Sequence, residues 1–284
     1  MNNPLLRHML RHRGGRFGLA ILCTMVVLVG AAPLFAGHTP TALDVTRMLR
    51  APSLTHPFGT DLFGRDVLAR TLYGGRHTLA IGVGVVGIAF VAGVTLGTFA
   101  GFYGGLFDAV AMRLVDAVLS FPALVLAIAL AAALGPGLLD AMLAISITMT
   151  PQFARLARSQ AQRIAGTLYV EAARVIGVPG LRIMTRHVLR NGIAPLLTLG
   201  ALSVGTAILQ VASLGFLGLG AQPPTAEWGA DIAANLDYVR VAPWVLISAG
   251  GSIMLTVLSF NLIADAIADY LNPRRQTAKG RSGQ

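Results

Sequence analysis

Apolar residues run along this chain in six long stretches separated by polar segments rich in arginine. They cover Phe17–Ala36, Thr78–Phe102, Ala117–Leu134, Leu138–Phe153, Ile193–Phe216 and Pro243–Ala264. About 20 consecutive apolar residues cross the hydrocarbon core of a bilayer as a helix. The pattern therefore predicts an all-α, polytopic membrane protein with six transmembrane helices. The first stretch follows Arg7, Arg11, Arg13 and Arg16, as a signal peptide would, but it is longer than a signal core and lacks an A-x-A site. Leu22 before Cys23 also argues against a lipoprotein signal, so the first helix is expected to be retained.

Composition strengthens this picture. Of 284 residues 55% are hydrophobic and only 12% charged, and mean hydropathy is +0.69. Soluble domains carry roughly a quarter charged residues, and a disordered chain could not be this apolar. The net charge of +10 suggests nucleic acid only until it is mapped. The basic residues lie between the apolar stretches rather than on one face, so no nucleic-acid partner is expected. With both termini in the cytoplasm, cytoplasmic segments hold 16 basic residues and outer segments hold 6. This bias sets the orientation of polytopic membrane proteins. It puts 155–190 inside, and 37–77 and 217–242 outside. The chain divides into residues 1–76 (basic arm, first helix, outer segment), 77–270 (the transmembrane domain) and 271–284 (a basic cytoplasmic tail). Lipid is the expected surrounding.

Two connections have internal character. In 38–76, Asp66 and Arg70 are spaced for a helical ion pair, and Val67, Leu68 and Leu72 suggest a short interfacial helix. The Arg-rich segment 155–190 reads as two short helices joined by a turn at Gly177–Gly180.

Motifs for chemistry are sparse. Gly82-Val-Gly84-Val-Val-Gly87 matches G-x-G-x-x-G, yet it lies within an unbroken apolar stretch instead of between a strand and a helix. Gly93, Gly97, Gly101 and Gly105 recur every four residues, which predicts close helix packing in lipid. No phosphate-binding loop is present, and the one lysine is Lys279. No H-E-x-x-H or G-x-S-x-G motif occurs, and the six histidines are scattered in sequence. No catalytic, cofactor-binding or metal-ligating residues are expected, and no cofactor. The single cysteine, Cys23, permits no disulfide within the chain. Asp116, Asp140 and Asp265 fall near span ends, where an Arg113–Asp116 pair is expected, whereas an ion relay would place charge at mid-membrane. Pro122, Pro151 and Pro195 sit in or beside spans and should kink them. Kinked helices with little buried charge suit a moving substrate pathway.

Tyr169-Val-Glu171-Ala172-Ala173-Arg174-Val-Ile-Gly177, followed by nine residues and His187-Val-Leu189, resembles the EAA loop of permease subunits in bacterial ATP-binding-cassette importers. His187 replaces the usual Ile of that pattern and Arg190 its Pro. FGTDLFGRDVLARTLYGGR, SLGFLGLGAQPPTAEWGADI and FNLIADAIADYLNPR are similar to the C-type permease of dipeptide, oligopeptide and nickel importers. The resemblance covers about residues 56–275. It implies the type I importer permease fold and a homologous B-type permease partner. It also implies two cytoplasmic ATPase subunits and an extracytoplasmic solute-binding protein, with peptides or nickel as cargo. The rival reading is a self-sufficient secondary transporter or channel. A membrane protease lacks a nucleophile motif.

Leu168–Ile176 is expected to form the coupling helix. Tyr169, Ala172 and Ile176 would make an apolar knob, with Ala172 and Ala173 keeping it slim. Glu171 and Arg174 would pair with each other or with the ATPase, and Gly177 would end the helix. On the outer side, Trp228 and Trp244 suit the membrane boundary. There the segment Pro223–Trp244 is expected to form an interfacial loop that caps the pathway, with Glu227 and Asp231 as candidate contacts for the binding protein in the alternative reading.

Overall fold

A computed structural model describes residues 4–271, so the basic tail expected after Leu271 lies outside the described residues. The chain starts with α1 (Pro4–Arg11), α2 (Arg13–Gly30) and the single turn α3 (Ala32–Phe35). An irregular connection then leads into α4, Val67–Tyr103, a continuous helix of 37 residues. Asp66 starts it, its Oδ1 accepting the Ala69 N–H at 2.7 Å, which satisfies one of the open donors of the first turn. The separate interfacial helix expected in 38–76 is therefore absent, because its apolar residues continue into the span.

The third expected span, Ala117–Leu134, is broken. α5 (Gly105–Leu119) and α6 (Ala123–Leu134) meet at 93°. Pro122 lacks an N–H, and its ring forces the preceding residue out of helical geometry. α7 (Leu138–Ala165) runs 12 residues beyond the expected Phe153. After α8 (Leu168–Val175), the short α9 (Gly180–Ile183), a π-helical turn over Met184–Leu189 and α10 (Arg190–Phe216) run on as one rod. This merges the second half of the expected cytoplasmic hairpin with a span. α11 (Trp228–Asn235) and α12 (Pro243–Leu271) complete the chain. Among the described residues, four helices are long and apolar enough to cross a membrane, or five counting the bent pair as one span. α7 has the length but carries Arg155, Arg158 and Arg163 in its second half.

The core lies where α4, α7, α10 and α12 meet, around Ile145, Phe153, Leu196, Ile208 and Trp228. α4 and α7 approach closely at the glycine row. A methyl on Gly93, Gly97 or Gly101 would come within 2.5 Å of the carbonyl oxygens of Thr150, Ala154 and Arg158. Gly105 leaves that row: its φ is +66° and the space around it is open, so it serves the turn into α5. On the same side, α5 is tied to α7 by charge. Arg158 holds Asp108 through two bonds of 2.5 and 2.6 Å, and Arg155 meets Asp116 at 2.7 Å. The expected Arg113–Asp116 pair is replaced by this pairing across helices.

Candidate functional site

Two regions concentrate the residues singled out by the sequence, one at each end of α4. At its C-terminal end lies α8. Val170 and Ala173 turn inward onto Ala161, Ile164, Ile183 and Val188, with Phe102 and Val178 closing a small core. Gly177 sits at φ +78°, in the left-handed region. Its N–H reaches the Arg174 carbonyl at 3.0 Å, and the Val178 N–H reaches Ala173 at 3.0 Å. This Schellman closure satisfies the last carbonyls of the helix, as the sequence indicated.

The opposite face of α8 is bare. Leu168, Val175 and Ile176 are 83%, 86% and 79% exposed, with Ala172 and Glu171 open beside them. The expected knob is thus corrected in composition. Ala173 belongs to the inner face, and Tyr169, only 46% exposed, accepts a hydrogen bond from Asn191 at 3.1 Å. Leu168 and Val175 were missed. The inward pair Val170 and Ala173, three apart, could have located them by elimination. Glu171 and Arg174 do not pair with each other, since the Arg174 guanidinium lies over the Phe102 ring at 5.2 Å.

At the N-terminal end of α4, residues 37–66 and 217–242 form a cap tied by buried charge. Arg70 donates from Nε to Asp231 at 2.8 Å, and its Nη2 bonds the same carboxylate. Its Nη1 donates to the Pro40 carbonyl at 3.0 Å. Arg65 donates to Asp61 at 2.6 Å, and Asn235 accepts the Leu62 N–H at 3.1 Å. Trp228 donates to the Thr71 carbonyl at 2.8 Å and Trp244 to Thr60 at 3.1 Å.

Glu227 begins α11, accepting the Gly229 and Ala230 N–H groups at 3.0 and 2.8 Å and the Thr78 hydroxyl at 3.1 Å. Burial pushes its carboxyl above the ordinary carboxylate range, against the lowering effect of those donors. The packing is close enough that a methyl on Gly215 would collide with Glu227 Oε2.

Glu227 and Asp231 are therefore corrected as binding-protein contacts. They are 0% and 5% exposed, and every carboxylate oxygen named above is directed inward. The expected Asp66–Arg70 pair is corrected as well. Arg70 reaches across 161 positions to Asp231, and Asp66 Oδ2 meets His56 Nδ1 at 2.7 Å. The histidines are also less scattered than their numbers suggest, with the His38 and His56 rings 4.7 Å apart.

Long apolar helices and a small-residue crossing define a multi-pass membrane protein, and α8 leaves an apolar face uncovered. Residues 93–277 match the family of binding-protein-dependent transport system inner membrane components, and the chain belongs to that family. It is 45% identical over 254 residues to a probable D,D-dipeptide transport system permease protein of Escherichia coli, covering 89% of this chain and 85% of that one. A dipeptide transport system permease protein of Alkalihalophilus pseudofirmus is 41% identical, with 92% and 86% covered. A chain of the MetNI methionine ABC transporter in an inward-facing conformation superposes with a TM-score of 0.59 at 18% identity, over 72% of this chain and 96% of that one. The fold is that of a type I importer permease. The chain is an inner-membrane permease component of an ATP-binding-cassette importer, a class that works with separate ATPase subunits and a solute-binding protein.

Proposed function

We propose that this chain is the C-type permease of a peptide importer, forming half of the translocation pathway beside a homologous B-type permease. Two ATPase subunits would drive the pair from the cytoplasm. Peptide cargo is supported by the relatives, which include a glutathione transport system permease protein of Pectobacterium atrosepticum at 36% identity as well as the two dipeptide permeases. The observation that carries the mechanism is α8. Its inner face is anchored on its own small core, while Leu168, Ala172, Val175 and Ile176 remain uncovered. A short rigid helix with that surface fits a cleft on an ATPase, with Glu171, Arg174 and Tyr169 at its margins. Gly177 sets the angle at which it projects. ATPase closure would then move α8 and, through Phe102 and Ile183, the helices beneath it.

The arginine bias supports cytoplasmic termini, with α8 inside and α11 outside. Reporter fusions at Gly14 and Gln162 should be active only as cytoplasmic fusions. A periplasmic signal at Gln162 removes α8 from the ATPases. For the coupling role, Ala172→Trp fills the docking face without touching the small core. It should abolish transport and substrate-stimulated ATP hydrolysis while the complex still inserts into the membrane. Normal transport by this variant would end the proposal.

A further inference from the structure

The cap holds a side-chain cluster with no part in the transport reading. His38, His56 and Asp66 each offer a donor atom, and the three atoms lie within 4.8 Å of one another. His56 Nδ1 is 2.7 Å from Asp66 Oδ2, and His38 Nδ1 is 3.9 Å from the same oxygen. We propose that these three residues bind a single divalent transition-metal ion, for which Zn²⁺ is the fitting probe.

The donor set favours it. Two imidazoles and one carboxylate suit a borderline cation such as Zn²⁺, with bonds of about 2.0–2.2 Å. Donors around such an ion sit roughly 3.3 Å apart, so His38 must swing inward and the 2.7 Å contact between His56 and Asp66 must open by about half an ångström. Two of the three ligands are already fixed. Asp66 is buried, and its other oxygen is held by the Ala69 N–H at the start of α4. His56 is buried too, its N–H donating to Ser53 Oγ at 3.2 Å and its carbonyl accepting from Ser53 and Gly59 at 2.9 and 2.8 Å. The Ala69 contact orients the Asp66 carboxylate before an ion arrives, and the His56 contacts fix the main chain from which its ring projects. His38, with 44% of its side chain exposed, is the mobile third ligand and leaves the site open to solvent.

One neighbour opposes the ion. Arg47 Nη1 lies 3.2 Å from His56 Nε2. Coordination through His56 Nδ1 needs the other tautomer of the neutral ring, so its single ring hydrogen shifts from Nδ1 to Nε2 by exchange with solvent, with no net proton released. Two donors would then face each other, so Arg47 must turn away. Asp44 receives it, its carboxylate already 3.1 Å from Arg47 Nε. The ion would clasp the segment after α3 to the start of α4, and Arg47 tunes the affinity.

The test is titration of the purified importer complex with Zn²⁺ by calorimetry, against a competing chelator, together with zinc-edge X-ray absorption. The wild type should bind one Zn²⁺ at this site with two imidazole ligands in the spectrum. His38→Ala alters only an exposed side chain and should weaken that site at least about tenfold. Arg47→Met should tighten it. His77→Gln, whose ring meets the Ala226 carbonyl at 3.0 Å elsewhere in the cap, should leave it unchanged. A stoichiometric site that His38→Ala does not weaken, a spectrum without two imidazoles, or no stoichiometric site at all overturns the proposal.

Discussion

Around α8, three large apolar side chains stand in the open and the helix is held only by its inner face. In the cap, the pattern is reversed: charged side chains are buried, and Arg65, Arg70, Asp61, Asp231 and Glu227 find partners inside the chain. Exposed apolar surface is stable only when something covers it, whereas a buried charge is stable only when its partner is already present. On the proposed coupling role the first region is completed by an ATPase subunit, whereas the second has its partners within the chain. Acidic residues in an outer loop invite a docking reading, but burial decides whether they can be met from outside.

The sharpest way to break this contrast is to orphan a charge in the cap. Asp231→Ala leaves the buried Arg70 guanidinium with only the Asp61 carboxylate, 3.8 Å away, and should cost up to about 3–5 kcal/mol, read as a lower unfolding midpoint of the purified complex. The double variant Arg70→Met with Asp231→Leu should recover much of that loss. If Asp231→Ala melts as the wild type does, the cap is not held by this pair. Gly177→Val acts at the other end with a smaller effect. A β-branched residue at φ +78° costs about 1–3 kcal/mol, and the angle of α8 should change. Transport should fall much further than the melting temperature, because the partner's cleft senses the angle. Glu171→Ala is the mildest. An exposed carboxylate contributes about 0–1 kcal/mol to a surface pair, so transport should drop modestly and ATPase binding should become less sensitive to salt. A total loss of transport would make Glu171 more than a marginal contact.

How far each region could be read from sequence follows from how local its determinants are. α8 and its end were legible because the turn at Gly177 and the EAA pattern fall within ten residues. Its outer face was only partly read, since choosing between Tyr169 and Val175 depends on where α10 passes. The start of α4 at Asp66 carried a capping signal that an apolar-run reading overlooks, because Arg70, Thr71, Arg76 and His77 interrupt the apolar run over its first three turns. Pro122 was recognised as a disturbance, but whether a proline bends a helix or ends it depends on the packing of α5 and α6 against α7. The cap was the least legible. Nothing near Arg70 in sequence identifies Asp231 as its partner, and an i,i+4 carboxylate at Asp66 offered a false one.

α4 touches both regions. Asp66 and Arg70 begin it within the cap, and Phe102 ends it beneath Arg174 and the inner face of α8. At 1.5 Å per residue it is roughly 55 Å long, and the helix is unbroken throughout. A lever of that kind makes the two ends thermodynamic correspondents. If a protein seated on the cap favours one position of α4, it alters the affinity of whatever grips α8. Reciprocity then requires that the gripping subunit alter affinity at the cap by the same factor.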